Sequence, residues 1–382
     1  MVYSDQGDRK GTPVQYHEMV FACRVLYGRT LAVALEIRWS FWKRMVSLDL
    51  SGNPMVFLGI SGSFWKLKRF CMSSAKEKKF PLVPAFLTVA AIGGLAALAL
   101  RIYLRPWETM IDTIRAGMLL IGIREETANL GGVPMHYYCA GRRGTPVILI
   151  HGLGNSAEVW AGLMPLLSKE YLVYAPDMPG FGKTPLAPEG TNVATHVLYL
   201  ERFLNALGYP QVTLVGNSLG GWIATRFAVE HPERVERLYL LNSAGLRREN
   251  MRSPVANDRT AAQRSLEHTW GFSFPTPRFI LDAVVRNSQT PAYAGFINGY
   301  DPREELDTIL AQVKSPTTII WGENDSLLPI IYAHDLQNGI PGSKLVLLPH
   351  VGHMPQIQAP TQVARLLLSQ AHHHNESNPP SA

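Results

Sequence analysis

The sequence predicts an α/β protein: a mostly parallel, twisted sheet with helices on both faces and a short helical lid. Three observations predict it. Short apolar runs alternate with stretches of about ten residues at helical spacing, which is the pattern of strand–helix–strand units. The run "PVILI" (146–150) is apolar throughout, as expected of a strand covered on both faces. Glycine, proline and aspartate stand just past several of these runs, at the strand ends where open sheets of this kind bind ligands.

Taken in order, "PMHYYCAG" (134–141) and "PVILIHG" (146–152) read as strands and "EVWAGLMPLLSK" (158–169) as a helix. "YLVYAPD" (171–177) is a strand ending in a Pro/Gly turn, and "HVLYLERFLNAL" (196–207) is an amphipathic helix stopped by Gly208 and Pro210. "QVTLVGN" and "GGWIATRFAVEHP" form the next strand and helix. "VERLYLLNS" (235–243), "PTTIIWG" (316–322) and "SKLVLLP" (343–349) are further strands, and "PTQVARLLLSQA" (360–371) is the closing helix. Residues 124–371 are expected to form one domain. The alternation breaks over 246–302, where Trp270, Phe272, Phe274, Phe279, Phe296 and Tyr300 gather among prolines. This aromatic content points to a helical lid over a pocket, with Trp270 and Phe274 as substrate-contacting candidates.

The region before residue 124 has a different character. The run "LVPAFLTVAAIGGLAALAL" (82–100) carries no charge and at 1.5 Å per residue covers about 28 Å, close to a hydrocarbon core. A retained membrane anchor within 72–105 is the expectation, ahead of a cleaved signal ending near "ALA" or a buried helix. Lys66, Lys68, Arg69, Lys76, Lys78 and Lys79 precede the run, and Arg101, Arg105 and Arg115 follow it. That imbalance predicts a single-pass protein whose folded domain lies outside the cytoplasm. Residues 106–123 read as an amphipathic linker helix on the membrane surface or against the domain. Residues 1–71 show no clear period and read as an extension outside the fold, with Met72 as a natural start; 372–382 read as a disordered tail.

Composition narrows the function. Of 382 residues, 46% are hydrophobic and 17% charged, the balance of a globular protein. The formal charge of +6 is spread along the chain apart from 66–79, without the basic and aromatic stripes of a nucleic-acid binder. Three cysteines, Cys23, Cys71 and Cys139, have neither a disulfide framework's even count nor metal-site spacing. No cofactor or metal is expected.

The chemistry is concentrated in "VTLVGNSLGGW" (212–222). Gly216-Asn217-Ser218-Leu219-Gly220 has the G-x-S-x-G spacing of a nucleophile on a strand-to-helix turn, where flanking glycines relieve crowding. "WGENDSLLP" puts Asp325 just past one later strand, and "LPHVGHMP" puts His353 past another, giving the chain order Ser, Asp, His. Glu323 and His350 compete for the acid and base roles; the position of Asp325 and the Gly-His pair favour Asp325 and His353. His151 reads as a structural hydrogen-bonder, His231 as a helix-end residue and His372–His374 as tail. The spacing Gly152-x-Gly154-x-x-Ala157, with Asp177 downstream, imitates a dinucleotide fingerprint. That reading explains none of the other segments. "DMPGFGKT" fails as a phosphate loop because Asp177 stands where a glycine is needed.

"HGLG", "DMPGFGKT", "GNSLGG", "WGENDSLLP" and "VGHMP" together resemble the α/β-hydrolase superfamily over 124–371. The resemblance implies Ser218 as nucleophile, His353 as base and Asp325 as orienting acid, with the backbone N–H groups of Leu153 and Leu219 as the oxyanion hole. Serine at the elbow sets the chain apart from haloalkane dehalogenases and epoxide hydrolases, which attack with a carboxylate. The N-terminal run and "NSAGL" (242–246) are most similar to membrane-anchored monoacylglycerol lipases and carboxylesterases, so the expected substrate is a small apolar ester. Carbon–carbon bond hydrolases of ring-fission products use the same triad and form the alternative; a non-catalytic receptor for a small ligand is a third reading.

Overall fold

The computed structural model describes residues 82–247 and 255–369. The expected extension 1–71 and tail 372–382 lie outside the described residues. Two compact units divide the chain between Thr109 and Met110.

The apolar run forms helix α1, Leu82–Leu104, and α2 follows at Pro106–Leu120. Among the described residues, no helix is long and apolar enough to cross a membrane. The side chains of 82–89 and of residue 92 lie outside the described residues, and Arg101 follows the apolar run. The expected single-pass anchor, and with it the placement outside the cytoplasm, therefore gains no support from the structure.

The second unit is built on an eight-stranded sheet in the order β1-β2-β4-β3-β5-β6-β7-β8. Its strands are β1 Arg124–Leu130, β2 Val133–Ala140, β3 Pro146–Ile150, β4 Leu172–Pro176, β5 Val212–Asn217, β6 Val235–Leu241, β7 Thr317–Gly322 and β8 Lys344–Leu348. β1, β2 and β4 pair antiparallel, and every pairing from β4 across to β8 is parallel. The chain builds outward from β3 to β4, then returns to add β5 on the other side. This reversal opens a crevice at the C-terminal ends of β3 and β5, where sheets of this kind bind ligands.

β3 and β5 owe their apolar sequences to burial on both faces. One core layer holds Ile148, Ile150 and Leu214 against Phe203 and Phe227; the other holds Val147, Leu149 and Val215 against Trp160 and Leu167. Helix α4, Val193–Leu207, starts at the cap Asn192, whose side chain accepts the Thr195 N–H, and ends at Gly208 in the left-handed conformation. Helix α5, Leu219–Glu230, leaves directly from β5. The expected helix over 158–169 divides into a 3-10 turn, Ala157–Trp160, and a short helix α3, Met164–Leu167, with Gly162 and Pro165 interrupting the run.

The 246–302 insertion carries three helices: α6 Arg259–Trp270, α7 Arg278–Ser288 and α8 Pro291–Asn298. Helix α9, Ile331–Gly339, precedes β8, and α10, Pro355–Gln358, and α11, Pro360–Ser369, close the fold.

Candidate active site

Ser218 sits between the last residue of β5 and the first of α5, with φ 56° and ψ −119°. An L-residue rarely adopts that conformation, and holding it costs on the order of 1–3 kcal/mol. The surroundings enforce it. The Ser218 N–H donates to the Leu241 carbonyl at 3.1 Å, and the Ser218 carbonyl accepts the N–H groups of Gly221, Trp222 and Ala244. A Cβ on Gly216 would run into the Gly220 carbonyl, and one on Gly220 into the Ile150 carbonyl. The two glycines of the motif are thus required by close backbone approach, and the turn lifts the serine side chain to the crevice.

The other two candidates meet across the ends of β7 and β8. His353 Nδ1 lies 2.6 Å from Asp325 Oδ2, and both residues are buried. With the carboxylate as acceptor, Nδ1 carries the proton and Nε2 the lone pair, the tautomer a base needs. Asp325 Oδ1 accepts the N–H groups of Leu327 and Leu328, each at 2.9 Å. Oδ2 also accepts the side-chain amide of Asn242 at 2.6 Å. Four hydrogen bonds to its two oxygens hold the carboxylate in one orientation.

Asn217 ties the two halves together. Its Nδ2 donates to the His353 carbonyl and to the Leu241 carbonyl, each at 3.0 Å. Its Oδ1 accepts from Gln356 Nε2 at 3.0 Å. The loop that bears His353 is in this way fastened to the residue before Ser218. The Ser218 hydroxyl itself makes no hydrogen bond among the described residues; such contacts commonly tighten only when substrate is present. Glu323 and His350 are exposed and stand apart from this network.

The oxyanion-hole candidates lie on either side of the elbow. A Cβ on Gly152 would approach the Ser218 Cβ to 3.1 Å, so the loop that carries Leu153 packs directly on the turn. Leu219 opens α5, and its N–H is among those no helix satisfies internally. Neither the Leu153 nor the Leu219 amide has a partner among the described hydrogen bonds. Beneath them His151 acts structurally, as the sequence suggested. Its Nδ1 donates to the Gly152 carbonyl at 2.9 Å and its Nε2 accepts the Met178 N–H at 3.0 Å. Burial lowers the His151 pKa, keeping the ring neutral in this role. Asp177, the ribose-binding residue of the rejected dinucleotide reading, is fully buried and structural. It accepts the N–H groups of Ala157 and Lys183 and lies 2.7 Å from His136 Nδ1. Burial opposes its ionisation, but the bond from His136, the nearby His151 and those two backbone N–H groups hold its pKa below the usual carboxylate range.

The insertion reaches the site from both ends. The His353 N–H donates to the Thr269 carbonyl of α6 at 2.7 Å, and Gln358 Nε2 donates to the Trp270 carbonyl at 3.0 Å. Asn287 of α7 donates to the Gly154 carbonyl, and the Tyr293 ring of α8 lies against Gly154. Trp270 is buried, with Phe274 edge-on to it at 6.4 Å between ring centroids.

Comparison with known proteins gives this arrangement a family. The family described as alpha/beta hydrolase fold matches residues 145–274 and 258–360. The chain belongs to that family. Among hydrolases of known chemistry, it is 31% identical over 268 residues to the 2-hydroxy-6-oxo-6-(2'-aminophenyl)hexa-2,4-dienoic acid hydrolase of Metapseudomonas resinovorans, covering 64% of this chain and 90% of that protein. A solved structure of a serine hydrolase involved in carbazole degradation shares 30% identity at a TM-score of 0.56, covering 65% of this chain and 98% of that one. The fold is also similar to that of a bacterial membrane phospholipase A, with 24% identity and a TM-score of 0.63, over 74% of this chain and 96% of that one. The matches thus include a dienoic acid hydrolase and, at the level of the fold alone, a phospholipase A.

Gln356 lies outside every motif read from the sequence, and Asn242 was visible only as the first residue of "NSAGL", with no role in the site attached to it. Asn217 was visible only as the variable position of "GNSLGG".

Proposed function

We propose that this hydrolase cleaves carboxylic esters of small, apolar acyl groups through an acyl-enzyme on Ser218. Ser218 Oγ attacks the ester carbonyl while His353 Nε2 takes its proton. The N–H groups of Leu153 and Leu219 receive the developing oxyanion, each typically worth about 3 kcal/mol in the transition state. His353 then returns the proton to the leaving alcohol, and water repeats the sequence to release the acid. Asp325 keeps the imidazole in the useful tautomer and stabilises it when charged.

The observation that supports an ester over a ring-fission dienoate is the aromatic character of the insertion that meets the site: Trp270 is buried with Phe274 edge-on to it, and the Tyr293 ring lies against Gly154. Aromatic side chains suit a neutral, apolar acyl group. The second reading, carbon–carbon hydrolysis, is favoured by the similarity to the Metapseudomonas dienoic acid hydrolase. A panel of p-nitrophenyl esters set against a 2-hydroxy-6-oxo-dienoate separates the two. Turnover of the esters with negligible turnover of the dienoate is expected; the reverse order overturns the ester reading.

A further inference from the structure

Asn242 is the first residue past β6 and has φ 43°, left-handed for a side-chain-bearing residue. Asparagine tolerates this region better than most residues. It is fully buried, and its backbone N–H and both ends of its side-chain amide are used. Its backbone N–H donates to the Ile320 carbonyl at 3.1 Å, and its Oδ1 accepts the Gly322 N–H at 3.1 Å. Its Nδ2 donates to Asp325 Oδ2 at 2.6 Å. That oxygen is the one that meets His353 Nδ1, also at 2.6 Å.

We propose that Asn242 is a positioning residue for the reaction, fixing the Asp325 carboxylate for His353 and moderating its pull on the imidazole. The proposal rests on the assignment of Asp325 and His353 as acid and base. Two donors on one carboxylate oxygen compete for the same electron density, so each weakens the other's bond. Asn242 therefore restrains how strongly the carboxylate favours the protonated imidazole. It also couples the acid loop to the ends of β6 and β7, so that the carboxylate cannot rotate out of line. Only a primary amide supplies one donor and one acceptor in these two directions at this backbone conformation. Asn242→Asp places a second carboxylate against the first. Asn242→Gly keeps the left-handed backbone and deletes the amide.

The charged and titratable groups around His353 are few. Asp325 faces it from the loop after β7. On α6, His268 lies 2.7 Å from Ser326 Oγ, one residue beyond Asp325. Glu323 and His350 are exposed on the two loops.

The test compares wild type, Asn242→Gly and Asn242→Asp on a p-nitrophenyl ester across pH, with the same Asn242 changes repeated in an Asp325→Asn background. Asn242→Gly should lower kcat by about 10- to 100-fold, the scale of a sub-ångström misplacement, with KM little changed. The acid limb of the kcat/KM profile should move to higher pH, because the unrestrained carboxylate now stabilises the protonated imidazole more strongly. Asn242→Asp should move it further in the same direction. In the Asp325→Asn background the Gly change should add little, since its route to His353 is gone. A profile lowered in amplitude with the limb unmoved would mean that Asn242 is merely structural and overturns the proposal. Equal losses in both backgrounds overturn it too. Should Asn242→Gly fail to fold, the near-isosteric Asn242→Asp decides, and wild-type kcat in that variant sinks the idea. Full activity of Asp325→Asn alone is a different result: it rejects the triad assignment beneath the proposal.

Discussion

Asn217, the residue before the candidate nucleophile, donates its side-chain amide to the backbone carbonyl of His353 at 3.0 Å. The relative position of the candidate nucleophile and the candidate base thus depends on a residue outside the proposed proton transfer. Asn217→Ala leaves the His353 carbonyl and Gln356 Nε2 without their buried partner. The loss should be about 1–3 kcal/mol of stability, the usual cost of an unsatisfied buried group. Ester turnover should fall together with it. Urea unfolding and kcat measured on the same preparation check both; unchanged turnover would show that the loop holds itself.

On the acyl-enzyme reading, Ser218→Ala abolishes turnover and labelling by a fluorophosphonate. Ser218→Gly should do the same and also raise stability by about 1 kcal/mol, because glycine relieves the φ 56° conformation. An active Ser218→Ala variant would falsify the mechanism.

His353→Ala and Asp325→Asn should each reduce kcat by about 10⁴-fold, the scale seen when a triad member or the tautomer is lost. His350→Ala should remain within a few-fold of wild type, since His350 is exposed and outside the network. An inactive His350→Ala beside an active His353→Ala would exchange the two assignments.

His196 gives the fold a pH limit of its own. It is completely buried. Burial lowers its pKa to about 3; nearby His151 acts in the same direction and the Thr191 backbone opposes. The depressed value means that the unfolded chain binds the proton first. The stability it contributes is present above the unfolded histidine pKa of about 6.5 and is lost as pH falls from there toward 3. Between pH 6.5 and 5 the loss should be about 1.5 kcal/mol for this residue. Urea midpoints of wild type and His196→Phe at the two pH values measure it; parallel declines would show that His196 is not responsible.

Phe274→Ala should weaken turnover of medium-chain p-nitrophenyl esters more than of the acetate. The cleaner choice is Phe274 rather than Trp270, because the buried Trp270 also supports the base loop through its carbonyl. Equal losses on both substrates would assign the aromatic pair to folding alone.

What could be read in the sequence follows physical lines. β3 and β5 were legible because strands buried on both faces must be apolar, and the elbow because Gly216 and Gly220 leave no room for a Cβ. β1 was missed: "REETANL" is an edge strand in which six of the seven residues are exposed or partly exposed and only Leu130 is buried, so no apolar pattern is imposed on it. Helix α9 was missed as well, since only Tyr332, Ala333 and Leu336 are buried along it. Asn242 stood at the head of "NSAGL", but its role was invisible for another reason. A single asparagine after a strand has no neighbours in the chain that explain it; its partners, Gly322 and Asp325, are 80 and 83 residues away. The order of the motifs predicted the Asp325–His353 pairing, whereas the amides that hold the pair come from folding alone.

The bond from the His353 N–H to the Thr269 carbonyl has a mechanical consequence. The insertion is riveted at its α6 end to the loop that carries His353, and at its other end it rests on the loop of Gly154 through Asn287 and Tyr293. Swinging the α6 end away would drag His353 out of register with Ser218. Displacing the α7–α8 end would break the Asn287–Gly154 bond but leave the His353–Thr269 bond in place. Amide exchange should follow the same asymmetry, faster in α7 and α8 than at the C-terminal turn of α6.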